Sequence, residues 1–147
     1  GAELGLDAEA LLDAEELSWR ELCAEVHRFT DEELERPGVT PDGWSVRDVL
    51  FHIGAWAARC GIQLERMRMG TWVEAEEDVE RWNREWFELS RTLDLPTVRA
   101  ELAAARTRMV CGFGTLPKIT AAAVEWFEES GPLHYDEHLL ALRRWGR

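Results

Sequence analysis

Three of the four histidines in this 147-residue sequence, His52, His134 and His138, have the residue type and spacing of metal ligands. His134 and His138 are four residues apart, so a helix would set them one above the other on a single face. Two imidazoles so placed can bind one ion with little backbone cost, and histidine is the commonest neutral ligand for Zn²⁺, Ni²⁺ and related ions. His52 lies about eighty residues earlier inside an apolar helical run, and the fold would have to carry it to the other two. A site with three protein ligands keeps a coordination position open, the arrangement of catalytic rather than structural zinc. That position could hold water with its pKa lowered to about 7, or a thiol in its nucleophilic thiolate form. Each piece also has an ordinary reading. An HxxxH pair arises by chance on surface helices, and His52 on an apolar stripe can be a core histidine bonded to a carbonyl. His27, beside Val26 and without a partner, has only the ordinary reading.

Helical periodicity runs through nearly the whole sequence, and alternating strand patterns are absent. Trp19, Leu22, Cys23, Val26 and Phe29 mark a first helix over roughly residues 8 to 29. The stretch DEELERPGVTPDG then reads as a connection with one short turn of helix at Asp31 to Leu34. The second helix has the clearest start: Ser45 as N-cap, Asp48 at N3 in a variant capping box, and Trp44 placed to staple onto Val49. Its stripe runs through Val49, Ile53, Trp56, Cys60, Leu64 and Met67, with His52 beside it, and Gly70 ends it. Val79, Trp82, Trp86 and Leu89 mark a third helical piece, and Pro96 opens the helix that carries Val98, Leu102, Ala105, Met109 and Phe113. The last region bends at Gly131 and Pro132 and then sets His134, His138, Leu142 and Trp145 on one face. The expected fold is all-α: a four-helix bundle with long crossover connections, one domain over residues 1–147.

Composition narrows the partners. Twenty-nine acidic against 17 basic side chains give a net charge of −12, which repels a nucleic acid or an anionic membrane but not a small neutral or cationic substrate. Cys23, Cys60 and Cys111 are odd in number and form no CxxC pair, so they read as reduced core thiols of a cytosolic protein. The opening GAELGLDAEA has neither a basic stretch nor an apolar block of leader type, and the expected location is the cytoplasm. Gly1 and Ala2 read as a trimmed or added start.

Eight tryptophans stand against one tyrosine. Trp56 is one turn beyond His52, and Trp82 and Trp86 are stacked at i and i+4, so Trp56 and Trp86 are candidates to wall a pocket beside the metal, with Asn83 presenting an amide. The competing reading has the tryptophans filling the core between helices. Asp136 and Glu137 border the ligand pair but point about 200° and 100° away from His138, so no acid or base is assigned. A two-fold interface bordered by the tryptophans and the acidic TWVEAEEDVE segment would make a homodimer.

The stretch GWSVRDVLFHIGAW, followed much later by LHYDEHLLALRRW, resembles the DinB/YfiT-like superfamily. The second helix of that superfamily carries a W-s-v-x-d-v-l-x-H-l-x-x-w pattern, and its last helix carries H-y-x-e-H. The resemblance extends over about residues 11 to 145, and the intervening WNREWFELS is in keeping with it. It departs at Gly131 and Pro132, where the family more often continues a helix, which leaves the start of the last helix open. The resemblance implies a metal triad at His52, His134 and His138 holding a divalent ion, Zn²⁺ or Ni²⁺. It further implies an enzyme resembling metal-dependent thiol S-transferases, which use mycothiol, bacillithiol or a related thiol on a small electrophile. The alternatives are a metal-hydroxide hydrolase and a non-catalytic protein that binds or sequesters a reactive small molecule.

Overall fold

A computed structural model describes residues 7–145, and the reading of Gly1 and Ala2 lies outside them. Seven helices occupy the described residues, with no strand: α1 (Ala8–His27), α2 (Asp31–Glu35), α3 (Val46–Met69), α4 (Val79–Ser90), α5 (Leu95–Gly114), α6 (Ala121–Ser130) and α7 (Pro132–Arg144). The long members are α1, α3, α5 and the broken pair α6–α7, while α2 and α4 lie in the crossovers. The chain is an all-α bundle, as its periodicity predicts.

Helix α3 is central, because it packs on α5 most extensively and also meets α2, α4, α6 and α7. Its start is the expected capping box, Ser45 accepting from the Asp48 N–H and Asp48 accepting from the Ser45 N–H at 2.9 Å. Its end is Gly70 in the left-handed conformation at φ 76°, which a side chain would strain. Val49, Ile53 and Leu64 of α3 meet Val98, Leu102 and Met109 of α5, Leu22 and Val26 of α1, and Phe127 of α6 in one buried cluster.

The bend between α6 and α7 depends on glycine for space. A Cβ at Gly131 would lie 2.7 Å from the Phe127 carbonyl oxygen, so any other residue would force the last turn of α6 to shift. Pro132 then opens α7 at a position where no N–H is needed.

The expectation of three core thiols is corrected. Only Cys60 is buried, while Cys23 and Cys111 are exposed. Trp19, Leu22 and Val26 already fill the inward face of α1, so Cys23, about 100° on from Leu22, turns out to solvent. Cys111 likewise falls between the inward-facing Met109 and Phe113. Val79 and Leu89, which helped to mark α4 in the sequence, are also exposed. Among the described residues, no helix is long and apolar enough to cross a membrane.

Candidate metal centre

His52 comes from the second turn of α3, and His134 and His138 from the first two turns of α7. His134 Nε2 lies 3.0 Å from His52 Nε2 and 3.1 Å from His138 Nε2. The three rings offer ligand atoms all within 4.8 Å of one another and could hold a metal ion. Imidazole nitrogens each about 2.0–2.1 Å from one shared ion stand about 3 Å apart, so the spacing suits such an ion.

Hydrogen bonding alone does not satisfy the cluster. A neutral imidazole has one N–H and one lone pair, yet His134 Nε2 faces two other ring nitrogens at once. His134 Nδ1 is buried without a hydrogen-bond partner among the described residues. A shared cation would take all three Nε2 lone pairs and leave each N–H on Nδ1.

The rings are held neutral, the form that binds metal. Burial, reinforced by His52 and His138, brings His134 down to about 3. Burial and His138 bring His52 down to about 4, against the opposing effect of its hydrogen bond to Asn83. His138 is also lowered by burial, with Glu137 pulling the other way.

Neighbouring elements fix His52. The Asn83 side chain of α4 is hydrogen-bonded to it and also accepts from Trp56 Nε1 at 2.9 Å. Trp44, the residue before the α3 cap, sets its ring edge-on to His52 at 5.3 Å and stacks on Phe87 at 5.7 Å. His134 and His138 are fixed from behind by Tyr135, whose hydroxyl donates to Glu15 at 2.9 Å.

The histidines form the deep end of a cavity of about 560 Å³. Helix α3 lines it with His52, Trp56, Arg59 and Gln63, a stripe at spacings of four, three and four beside the core stripe. Helix α6 contributes Glu125, Trp126 and Glu129. The non-helical segment 71–78 closes another side, pinned by Trp72 Nε1 donating to Gln63 at 3.0 Å and by the Arg59–Glu77 ion pair at 2.5 Å.

Of the expected pocket residues, Trp56 and Asn83 line this cavity. Trp86 stands one layer back, edge-on to Trp56 at 5.0 Å and stacked on Trp82 at 5.6 Å, and both face a second, apolar hollow between α3, α4 and α5. Glu137 lies on the rim, and His27 is exposed at the end of α1. Buried Cys60 is hydrogen-bonded to Ser130 and pushed up to about 12 by burial, so its thiol stays protonated at neutral pH.

Fold and site together define a helical bundle with a histidine-lined centre at the bottom of an aromatic cavity. The family described as the mycothiol maleylpyruvate isomerase N-terminal domain matches residues 16–145, and the chain belongs to it and thereby to the DinB/YfiT-like superfamily. Among curated proteins and among solved structures, nothing matches the chain.

Proposed function

We propose that the chain is a metal-dependent enzyme of the thiol S-transferase kind, joining a low-molecular-weight thiol to a small electrophile. The observation that carries this reading is the convergence of three neutral imidazoles from two helices on one point at the bottom of a cavity. His52, His134 and His138 would hold a divalent ion, Zn²⁺ or Ni²⁺. Such an ion, when bound, would favour the deprotonated form of a thiol at neutral pH.

The rest of the work belongs to the chain. Asn83 orients His52, Glu15 and Tyr135 fix the helix carrying the other two ligands, and Trp56 gives the cavity an apolar wall. The cavity volume falls in the range that encloses small molecules and leaves space beside the histidines for two reactants. The chain's own thiols are poor substitutes for an added one. Cys60 is buried and protonated, and Cys23 and Cys111 are outside the cavity lining. Family membership supports mycothiol as the thiol.

Elemental analysis of the purified protein should find about one divalent ion per chain. His134→Ala should lower zinc affinity by about 100-fold or more, beyond the 10–100-fold typical of losing a partner outside the ligand set. Circular dichroism should stay helical. With the ion present, conversion of an electrophile such as 1-chloro-2,4-dinitrobenzene should require mycothiol. Metal-dependent conversion of electrophiles without any thiol would overturn the transferase reading.

A further inference from the structure

The cavity has two ends of opposite character. Its deep end is the histidine cluster, and its rim carries Glu74, Glu125, Glu129 and Glu137, all exposed. None of the four has an ion-pair or hydrogen-bond partner among the described residues. The fifth carboxylate, Glu77, is neutralised by Arg59, so Arg66 is the one cation of the cavity lining without an ion pair among the described residues.

Three half-buried tryptophans share this lining: Trp56, Trp72 and Trp126. Two of them are fixed through their ring N–H, Trp56 to Asn83 and Trp72 to Gln63, so their orientation is set before any ligand arrives. Indole faces attract an organic cation through the ring quadrupole, and surrounding carboxylates add a Coulomb attraction that water at an open rim does not fully screen. Trp126, between Glu125 and Glu129 in sequence, puts both interactions on one helix face. A cation would also gain from the net charge of −12 during its approach.

We infer that this cavity binds a small organic cation, with an ammonium or quaternary ammonium group at the tryptophan and glutamate rim and the reacting end toward the histidines. The inference rests on the cavity being the substrate site proposed above. It gives the substrate a charge: an amine-bearing or trimethylammonium-bearing molecule is favoured over a carboxylate.

Three probes of matched shape test it: choline, uncharged 3,3-dimethylbutan-1-ol and negatively charged 3,3-dimethylbutanoate. Calorimetry and tryptophan fluorescence at low ionic strength would follow each against metal-free protein, and choline and the alcohol against zinc-loaded protein. Choline should bind at least ten-fold more tightly than the alcohol in both forms, and the carboxylate most weakly in the metal-free form. Glu125→Gln combined with Glu129→Gln should weaken choline about ten-fold and leave the zinc content unchanged, because both glutamates are exposed and neither is a ligand.

Absence of choline binding, alcohol binding as tight as choline, or a carboxylate preference in the metal-free protein would overturn the inference. Zinc content is read separately. A protein that ranks the probes as expected but takes no zinc supports the cation site and removes the metal reading. One that binds zinc without the ranking removes the cation site alone.

Discussion

Helix α7 has polar groups on two adjacent inward faces, one satisfied within the chain and the other not. On the first, Tyr135 donates to Glu15, which is 0% exposed, and Arg106 donates twice to the same carboxylate, at 2.5 and 2.9 Å. Arg106 also reaches Glu16 and lies over the Trp19 ring, which in turn packs on Tyr135. Among the described residues, no buried side-chain nitrogen or oxygen of this network lacks a partner. About 100° around the helix, His134 meets the ring nitrogens of His138 and His52, and its Nδ1 has no hydrogen-bond partner among the described residues. Burying a polar group is tolerated when its bonds are made, so the first face is a finished brace, whereas the second could take a shared ion. The same helix thus carries a satisfied polar network beside the candidate metal centre.

The largest effect should come from breaking the brace. Glu15→Ala leaves the Arg106 guanidinium with only Glu16 and the Tyr135 hydroxyl with no acceptor, and loss of one partner from a buried ion pair costs about 3–5 kcal/mol. Denaturant unfolding of the metal-free protein measures this directly. His134→Ala should do the reverse, losing zinc while the metal-free fold stays within about 1–2 kcal/mol of the parent. If Glu15→Ala unfolds no more easily than His134→Ala, the two faces do not differ as argued.

Acid should attack the histidine face next. His134 and His52 titrate near 3 and 4 when folded but near 6.5 when unfolded, so between those values the unfolded chain binds more protons. Their contribution to stability is therefore complete above pH 6.5 and lost as the pH falls toward 4 and then 3. Each group contributes a slope of at most about 1.4 kcal/mol per pH unit in its window. Unfolding of metal-free protein between pH 7 and 4 should show this decline, and His52→Gln with His134→Gln should flatten it. Zinc-loaded protein should decline more steeply, because protons and metal compete for the same lone pairs. Equal slopes for parent and double variant would show that the cluster is not what acid disrupts.

Much of this contrast is legible in the residues, and the rest is not, for a physical reason. The α3 cap and the breaks at Gly70 and Gly131 lie on strong local signals, a capping box and glycine, whereas His134 and His138 at helical spacing are a weak signal alone and join His52 only through the family resemblance. The brace is also present in the pattern, because Glu15 falls on the α1 stripe with Trp19, Leu22 and Val26, where a carboxylate implies a buried partner. Its partner Arg106 is ninety-one residues away and sits beside the α5 stripe rather than on it, so no local rule joins the two. The α3 cavity stripe of His52, Trp56, Arg59 and Gln63 is legible only in part, since Trp56 can be assigned to the core stripe next to it. Trp72 and Trp126 join the cavity only through tertiary packing of segment 71–78 and α6 against α3. Trp86 illustrates the converse: helical spacing groups it with Asn83, but α4 is rotated so that Asn83 faces the histidines and Trp86 backs Trp56.

The smallest effect tests whether the histidine face has a brace of its own. Among the described residues, Asn83 is the one group outside the triad hydrogen-bonded to His52, and Trp56 holds the same amide from the other side. A partner of this kind fixes the ring's tautomer and direction, and its loss costs metal affinity without removing a ligand. Asn83→Ala should therefore weaken zinc about ten-fold, at the lower end of that range, with little change in helix content. Asn83→Asp separates orientation from packing, because a carboxylate still accepts from both His52 and Trp56 and makes the imidazole a better donor to the ion. Zinc affinity at or above the parent in Asn83→Asp, beside a ten-fold loss in Asn83→Ala, would mark Asn83 as the counterpart of Glu15 on the ligand side. Equal losses in both variants would instead assign Asn83 to packing, and would leave Trp44, edge-on at 5.3 Å, as the group that steers His52.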